Sequence, residues 1–571
     1  MINENIIAPN GGATYQTGAD QPGAYPPEAG KTGADQFGAR AGRDTAPPQS
    51  ACAGAVATAY VPREKQVFKP EISDFVFALA AFALGYLFSR WVLFSWHGWG
   101  VSVFTASYLL IVTAYLIKKG AFAGGAAAWF WLAVTFATGV SFALWGNPGF
   151  NAVRSLFLFC SAVYYVLTAS ERAILGKTGN YLLIDGLNTV LLIPLRNLLN
   201  QYVSFAALRK GEKRGKGLPV FLGVLLAVFL LICITPMLRR ADSGGFGAIL
   251  NFLADVFSFN VTEILFYLLF AIPVAAYLYG LASGAAHNRN TDTIKPEGAK
   301  KAVAALKLFQ PTTVFIALGA VCGLYLVFIF SQTPYFFSAF TGRRPDGWLV
   351  YSEYARQGFF ELCWIAAINL IILIAGNVTS RKRRIESRLL KAFNIALAVI
   401  TLALIATAFS KMALYISAYG LTMPRLLPCV FMVFMTVVFI ALIALQKRDF
   451  SIVRFALAAG AVILCALCLI NPDALVARYN TDRYLNGTLA RCDMEVIRRA
   501  GDAGVAPAIE VYMKTGDERL KTEISMYLVN YLEWQEYRAA NWPLEGGGRG
   551  HNQSFESYSA LKNLRAFKDN P

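Results

Sequence analysis

Three polar, aromatic stretches carry the side chains best suited to chemistry. They are YSEYARQGFFEL at 351–362, KMALYISAYGLTMPRL at 411–426 and ARYNTDRY at 477–484. Together they hold Arg356, Lys411, Arg425, Arg478 and Arg483. A guanidinium favours bidentate contact with phosphate or carboxylate. The ligand these residues suit is therefore a small anion or an anionic lipid head group, walled by Tyr351, Tyr354, Tyr415 and Tyr419. Glu353, Gln357, Glu361, Ile365 and Asn369 recur every fourth residue and so share one helical stripe. Arg356 stands three positions from Glu353, close enough to pair on a helix. Glu353 or Glu361 beside a cationic clamp also forms the minimal set for acid–base work on a lipid-linked substrate. The competing reading is architectural. Tyrosines form an interfacial belt, arginines anchor helix ends, and the glutamates neutralise Arg356 and Lys411.

Other chemistries find little support. There is no G-x-x-x-x-G-K-[ST], no H-E-x-x-H and no G-x-S-x-G. Histidines stand only at His97, His287 and His551, too scattered for a metal site, and no cofactor is implied. Most of the nine cysteines lie in apolar runs, where cysteine acts as a small hydrophobe. Cys465 and Cys468 form a C-x-x-C inside such a run, with no second pair to complete a zinc site. Gly319 and Gly323 make a GxxxG, a signal for close helix packing.

The elements that must position these residues are membrane helices. Of 571 residues, 56% are hydrophobic and only 15% charged, and mean hydropathy is +0.47. Soluble domains carry about 25% charged residues. A helix needs about 20 residues to cross a bilayer. Eleven runs qualify, near 74–96, 99–117, 121–145, 150–168, 218–237, 260–282, 308–330, 358–377, 389–410, 425–446 and 451–470. Two of them carry Arg90 and Arg154 near their ends, where a long side chain can snorkel to the interface.

Charge sets the expected orientation. The chain carries a net +17, concentrated in alternate loops rather than on a basic face suited to nucleic acid. Loop 169–217 holds eight Lys or Arg against three acids, loop 283–307 five against two, and loop 378–388 five against one. The intervening loops are balanced, with two of each sign in 238–259. This asymmetry predicts an all-α, polytopic bundle of about eleven spans, amino terminus inside and carboxyl terminus outside. The implied partner is the lipid bilayer.

Three segments flank or interrupt the bundle of 71–470. Residues 1–70 are rich in Gly, Ala and Pro, with a near-repeat of TGADQPGAY and TGADQFGAR, and read as a disordered cytoplasmic tail. Residues 180–208 are apolar but interrupted by Asp185, Asn188, Pro194, Arg196, Asn197 and Asn200. They predict an amphipathic helix on the inner interface, broken at Pro194. Residues 471–571 predict a small extracytoplasmic helical segment, with Leu520, Ile524, Leu528 and Tyr531 on one face. Cys492 is its one cysteine, which excludes an internal disulfide and offers a topological label. Within the second stretch, Gly420 should end one helix, with Thr422 capping the next and Pro424 in its first turn.

The two long stretches, followed by NPDALVARYNTDRY, resemble an uncharacterised bacterial family of multi-spanning membrane proteins (the 4173/4153-like group of domains of unknown function). The resemblance covers roughly residues 210–545. It implies an integral protein of a bacterial plasma membrane and supplies no activity. Two functional classes remain. One is non-enzymatic, a permease-like carrier or a sensor of envelope or lipid state with an outer-face anion site. The other is a membrane enzyme acting on a lipid-linked substrate at the outer face.

Overall fold

The structure is a computed structural model. It describes chiefly residues 68–93, 96–146, 148–173, 182–206, 217–241, 261–289, 309–340, 359–379, 387–541 and 553–569, with isolated positions between. The predicted tail up to residue 67 lies outside the described residues, as do Tyr351, Glu353, Tyr354 and Arg356.

Helix accounts for the regular structure throughout the described residues. In chain order the long apolar helices are α1 (Ile72–Trp91), α2 (Trp99–Lys118), α3 (Ala126–Leu144), α4 (Asn151–Ala169), α5 (Gly217–Ala241) and α6 (Val261–Ala286). They continue with α7 (Pro311–Phe340), α8 (Phe359–Thr379), α9 (Arg388–Tyr419), α10 (Met423–Leu445) and α11 (Ile452–Ile470). Among the described residues, ten helices are long and apolar enough to cross a membrane: α1 to α4 and α6 to α11. Helices satisfy their own backbone groups, as a span in hydrocarbon must.

Two cores organise the bundle. One joins α1 to α4, α6 and part of α11 around residues such as Phe77, Tyr115, Trp131 and Tyr279. The other joins α7 to α10 around Leu318, Leu397, Leu404 and Phe439. Helix α11 packs on both α3 and α10 and so connects the two groups. Where helices approach most closely, the residue is glycine. A Cβ on Gly85 of α1 would meet the Ala271 carbonyl of α6 at 2.5 Å, and Gly280 and Gly284 lie against Pro194 and Asn197. The GxxxG of α7 is different. A Cβ at Gly323 meets nothing within 4 Å, and one at Gly319 meets only the Phe393 ring at 3.6 Å.

Residues 182–206 form a broken helical segment. A π-helical turn spans Asn188–Leu192, Pro194 opens the short helix that follows, and a last helix runs Asn200–Ala206. Asp185, Asn188, Thr189, Asn197, Gln201 and Ser204 are buried in the bundle, whereas Leu187, Leu191 and Leu195 are exposed on its perimeter. Gln201 donates to the Ala78 carbonyl, and Ser204 bonds the Tyr279 hydroxyl at 2.7 Å. The polarity points inward, which suits a segment whose outer surroundings are apolar.

At one end of the bundle, Asp74 ties three helices together. Its Oδ1 accepts from Tyr115 at 2.6 Å and lies 2.8 Å from His287 Nε2, while its Oδ2 accepts from Lys119 at 2.8 Å. At the other end sit five further helices: α12 (Pro472–Leu485), α13 (Met494–Arg499), α14 (Asp502–Lys514), α15 (Glu518–Asn541) and α16 (Phe555–Asp569). Their core contains Leu520, Ile524 and Leu528, the face read from periodicity, together with Val505, Val511, Leu564 and Phe567.

Overpacking a tight helix contact costs about 1–3 kcal/mol. Gly85→Leu should therefore lower the unfolding temperature of the detergent-purified protein, while Gly323→Leu should leave it nearly unchanged. Equal shifts would refute this account of the packing.

Candidate functional site

Two of the three polar stretches meet in space, and they bind each other. Helix α9 runs on to Tyr419 and ends at Gly420, whose φ is 76°. Thr422 occupies the N-cap of α10 without a side-chain hydrogen bond, and Pro424 lies in the first turn. The last turn of a helix leaves carbonyls short of intrahelical donors, and at the end of α9 two arginines add donors beside the Gly420 N–H, which bonds Ile416. Arg483 of α12 donates to the carbonyls of Ile416 at 3.0 Å and Ser417 at 2.7 Å. Arg425 donates to those of Tyr419 and Gly420 and lies 4.2 Å above the Tyr415 ring. Cations at a helix C-terminus also oppose its dipole. Asn480 completes the junction, since its amide both accepts from and donates to the Leu421 backbone at 2.7 Å. Gly420 is required twice, by its positive φ and because a Cβ would meet Asn480 Oδ1 at 2.5 Å.

The remaining members of the sequence-derived set divide. Tyr415 and Tyr419 stack edge to face at 5.4 Å. Glu361, exposed in the first turn of α8, acts electrostatically on the half-buried Lys411. Asn369, from the same stripe, is buried and bonded to Tyr325 and Thr401. Arg478 is exposed beside a cleft.

Sequence reasoning missed a second constellation, centred on Arg154. This arginine does not snorkel; its exposure is 0%. From α4 it reaches back to the end of α3, donating to the carbonyls of Ser141, Trp145 and Gly146 and to the Asn151 side chain at 2.8–3.2 Å. Its guanidinium lies 3.9 Å above the Phe142 ring. The loop it holds then turns its own donors toward the C-terminal helices. The Gly146 N–H donates to Glu556 at 2.9 Å, and the Gly149 N–H to Asp473 at 3.1 Å. Trp145 Nε1 donates to the last-turn Leu469 carbonyl of α11 at 2.9 Å. Asn471 adds a further donor to Glu556. Asp502 accepts from Tyr531 at 2.9 Å and from Ser557 at 2.6 Å.

Asp473, Asp502 and Glu556 each sit in the first turn of a helix, where the dipole favours a carboxylate. Two clefts flank them. One of about 770 Å³ is lined by Asn471, Arg478, Asp482, Asp502, Glu556 and Asn563, among others. One of about 630 Å³ is lined by Pro148, Gly149, Asp473, Asp493, Glu495 and Arg499, among others. Burial pushes the Asp473 carboxyl up to about 6. Burial, reinforced by the Asp502 and Asp473 charges, pushes Glu556 up to about 7. Four groups of distant sequence origin thus share one seam. The only local signal was a lone arginine in an apolar run.

The family Domain of unknown function (DUF4153) matches residues 132–511. The chain belongs to that family. Its match starts in α3 and includes Arg154, Asp473 and Asp502, but stops short of Glu556. No curated protein and no solved structure matches the chain.

Removing a buried donor leaves the carbonyls it served unpaired, at about 1–3 kcal/mol for each buried group. Arg154→Ala should destabilise the purified protein on that scale. Asn480→Ala should cost about 1–3 kcal/mol by orphaning buried Leu421 backbone groups. Arg478→Ala, at an exposed position, should shift stability by less than about 0.5 kcal/mol. Thermal unfolding in detergent checks all three.

Proposed function

We propose that this protein is a non-enzymatic sensor of the bacterial plasma membrane, in which an extracytoplasmic helical unit is seated on the span bundle through a protonatable carboxylate seam. The observation that carries this reading is the pair of bonds from Gly146 and Gly149 to Glu556 and Asp473. They link the loop before α4 to helices far along the chain. The orientation, amino terminus inside, is supported by charge. Lys118, Lys119, Arg172, Arg289, Lys447 and Arg448 lie at or just past the C-terminal ends of α2, α4, α6 and α10, and Lys119 pairs with Asp74 itself.

The seam has a definite pH sign. Both acids bind protons more readily in the folded state than in an unfolded chain, where carboxyls titrate near 4. Their contribution to stability is therefore greatest below about pH 4 and is lost as pH rises from there through about 6 and 7. Acidification outside the cell would tighten the seat, and alkalinisation would loosen it.

A lipid-linked hydrolase at the outer face is the second reading. It is favoured by two acids lining clefts, but each carboxylate already holds a backbone N–H. An anionic head group approaching this end would meet exposed Arg478 before Arg425 or Arg483, whose donors serve carbonyls.

Hydrogen exchange of segments 145–150 and 555–560 in proteoliposomes tests the sensor reading. Protection, corrected for intrinsic rates, should fall between pH 5.5 and 8 in wild type, by on the order of 2–3 kcal/mol from linkage. Glu556→Gln together with Asp473→Asn should flatten the profile. The same profile in both proteins would overturn the proposal. The orientation needs a separate label. Cys492 is half-buried, and burial pushes its thiol up to about 11, so it reacts poorly. Glu518 is 82% exposed, and Glu518→Cys should react with an impermeant maleimide on intact cells; labelling only after permeabilisation would reverse the topology.

A further inference from the structure

A cavity of about 350 Å³ lies between α1, α2, α4 and α6. Phe88, Val92, Phe104, Leu158, Val274 and Leu278 supply much of its wall. Three lining residues carry hydroxyls, and all three are spent elsewhere. Thr105 donates to the Val101 carbonyl at 2.8 Å, Tyr108 to Ala162 at 3.1 Å and Tyr277 to Val190 at 2.9 Å. The surface facing the cavity is therefore hydrocarbon and aromatic ring.

Water has no place there, because a buried water needs two to four polar partners. An empty cavity of that size forfeits dispersion contacts on every wall. Its four walls are all helices of membrane-spanning length and polarity. Phe159, at its margin, is 40% exposed on the bundle perimeter, so the slot opens where the surroundings are lipid tails.

We propose that this slot holds one acyl chain of a bilayer phospholipid, taken in laterally beside Phe159. The acyl chain lies against a small apolar cluster of Val92, Val101, Phe142 and Leu158, whose Phe142 ring supports Arg154. The site goes beyond the sensor reading and does not depend on it.

The test uses the full chain in proteoliposomes containing a phosphatidylglycerol with a diazirine near the end of one acyl chain. After illumination, mass spectrometry locates the adducts. Wild type should give adducts on slot residues away from the perimeter, such as Leu158, Ala162 and Val163. Val274→Trp, which fills the slot, should reduce them at least about tenfold, and the milder Ala162→Leu should reduce them in part. Leu156→Trp, at an exposed perimeter position of the same helix, should leave them unchanged. Unfolding temperatures measured in parallel separate loss of the slot from loss of the fold. Excess unlabelled phosphatidylglycerol should compete. Adducts confined to the perimeter, insensitivity to Val274→Trp in a folded protein, or competition only by a polyprenyl phosphate would each overturn the assignment.

Discussion

A guanidinium that cannot reach water must find its partners inside the protein, and Arg154 finds them at the end of the preceding helix. Leaving such a charge unpaired would cost several kcal/mol. The carbonyls of Ser141, Trp145 and Gly146 therefore converge on it. That convergence fixes the loop between α3 and α4. Its amides then point away from the arginine, toward Glu556 and Asp473. The seat of the C-terminal helices thus follows from one buried side chain in α4. The arrangement also explains the raised acid affinities, because the same burial that removes Arg154 from water removes much of it from the carboxylates.

A second junction obeys the same rule with different groups. Helix α9 ends in carbonyls that its own backbone does not fully satisfy, and Arg425 and Arg483 supply donors to them. Residues that look like an anion clamp in one dimension are, in three, donors to helix ends. The Asp74 cluster at the far end inverts the charges: one buried carboxylate of α1 gathers donors from the ends of α2 and α6. Each end of the α1–α6 group is closed by a buried ion whose hydrogen bonds cross between helices. Between them lies an apolar slot whose polar side chains have been turned outward to other partners.

The protein is an integral membrane member of a family whose biochemical role is not named. Its clefts and its seam lie at the C-terminal-helix end, and its broken segment faces polar side chains inward near the other. The proposed sensor, in which the C-terminal helices seat and unseat with protonation, would account for the carboxylates. A held acyl chain beneath the same cluster would place lipid packing within reach of the same arginine.

Much of the architecture was legible from local properties. Runs of apolar residues gave the helices because hydrocarbon tolerates few alternatives. Gly420 and Pro424 marked a helix boundary through backbone constraints that act within a few residues. Leu520, Ile524 and Leu528 marked a buried face because helical period is local. Tertiary structure decided everything that depends on a partner from elsewhere in the chain. It buried Arg154 although its position near a helix end suggested exposure. It assigned Arg483 to α9, brought Glu556 to Gly146, and turned the polar residues of 182–206 toward the bundle. It also put the tight contacts at Gly85 and Gly280 rather than in the GxxxG, because close approach depends on which helix lies opposite. Periodicity and propensity describe one segment at a time, whereas a buried charge is defined by all the segments that surround it.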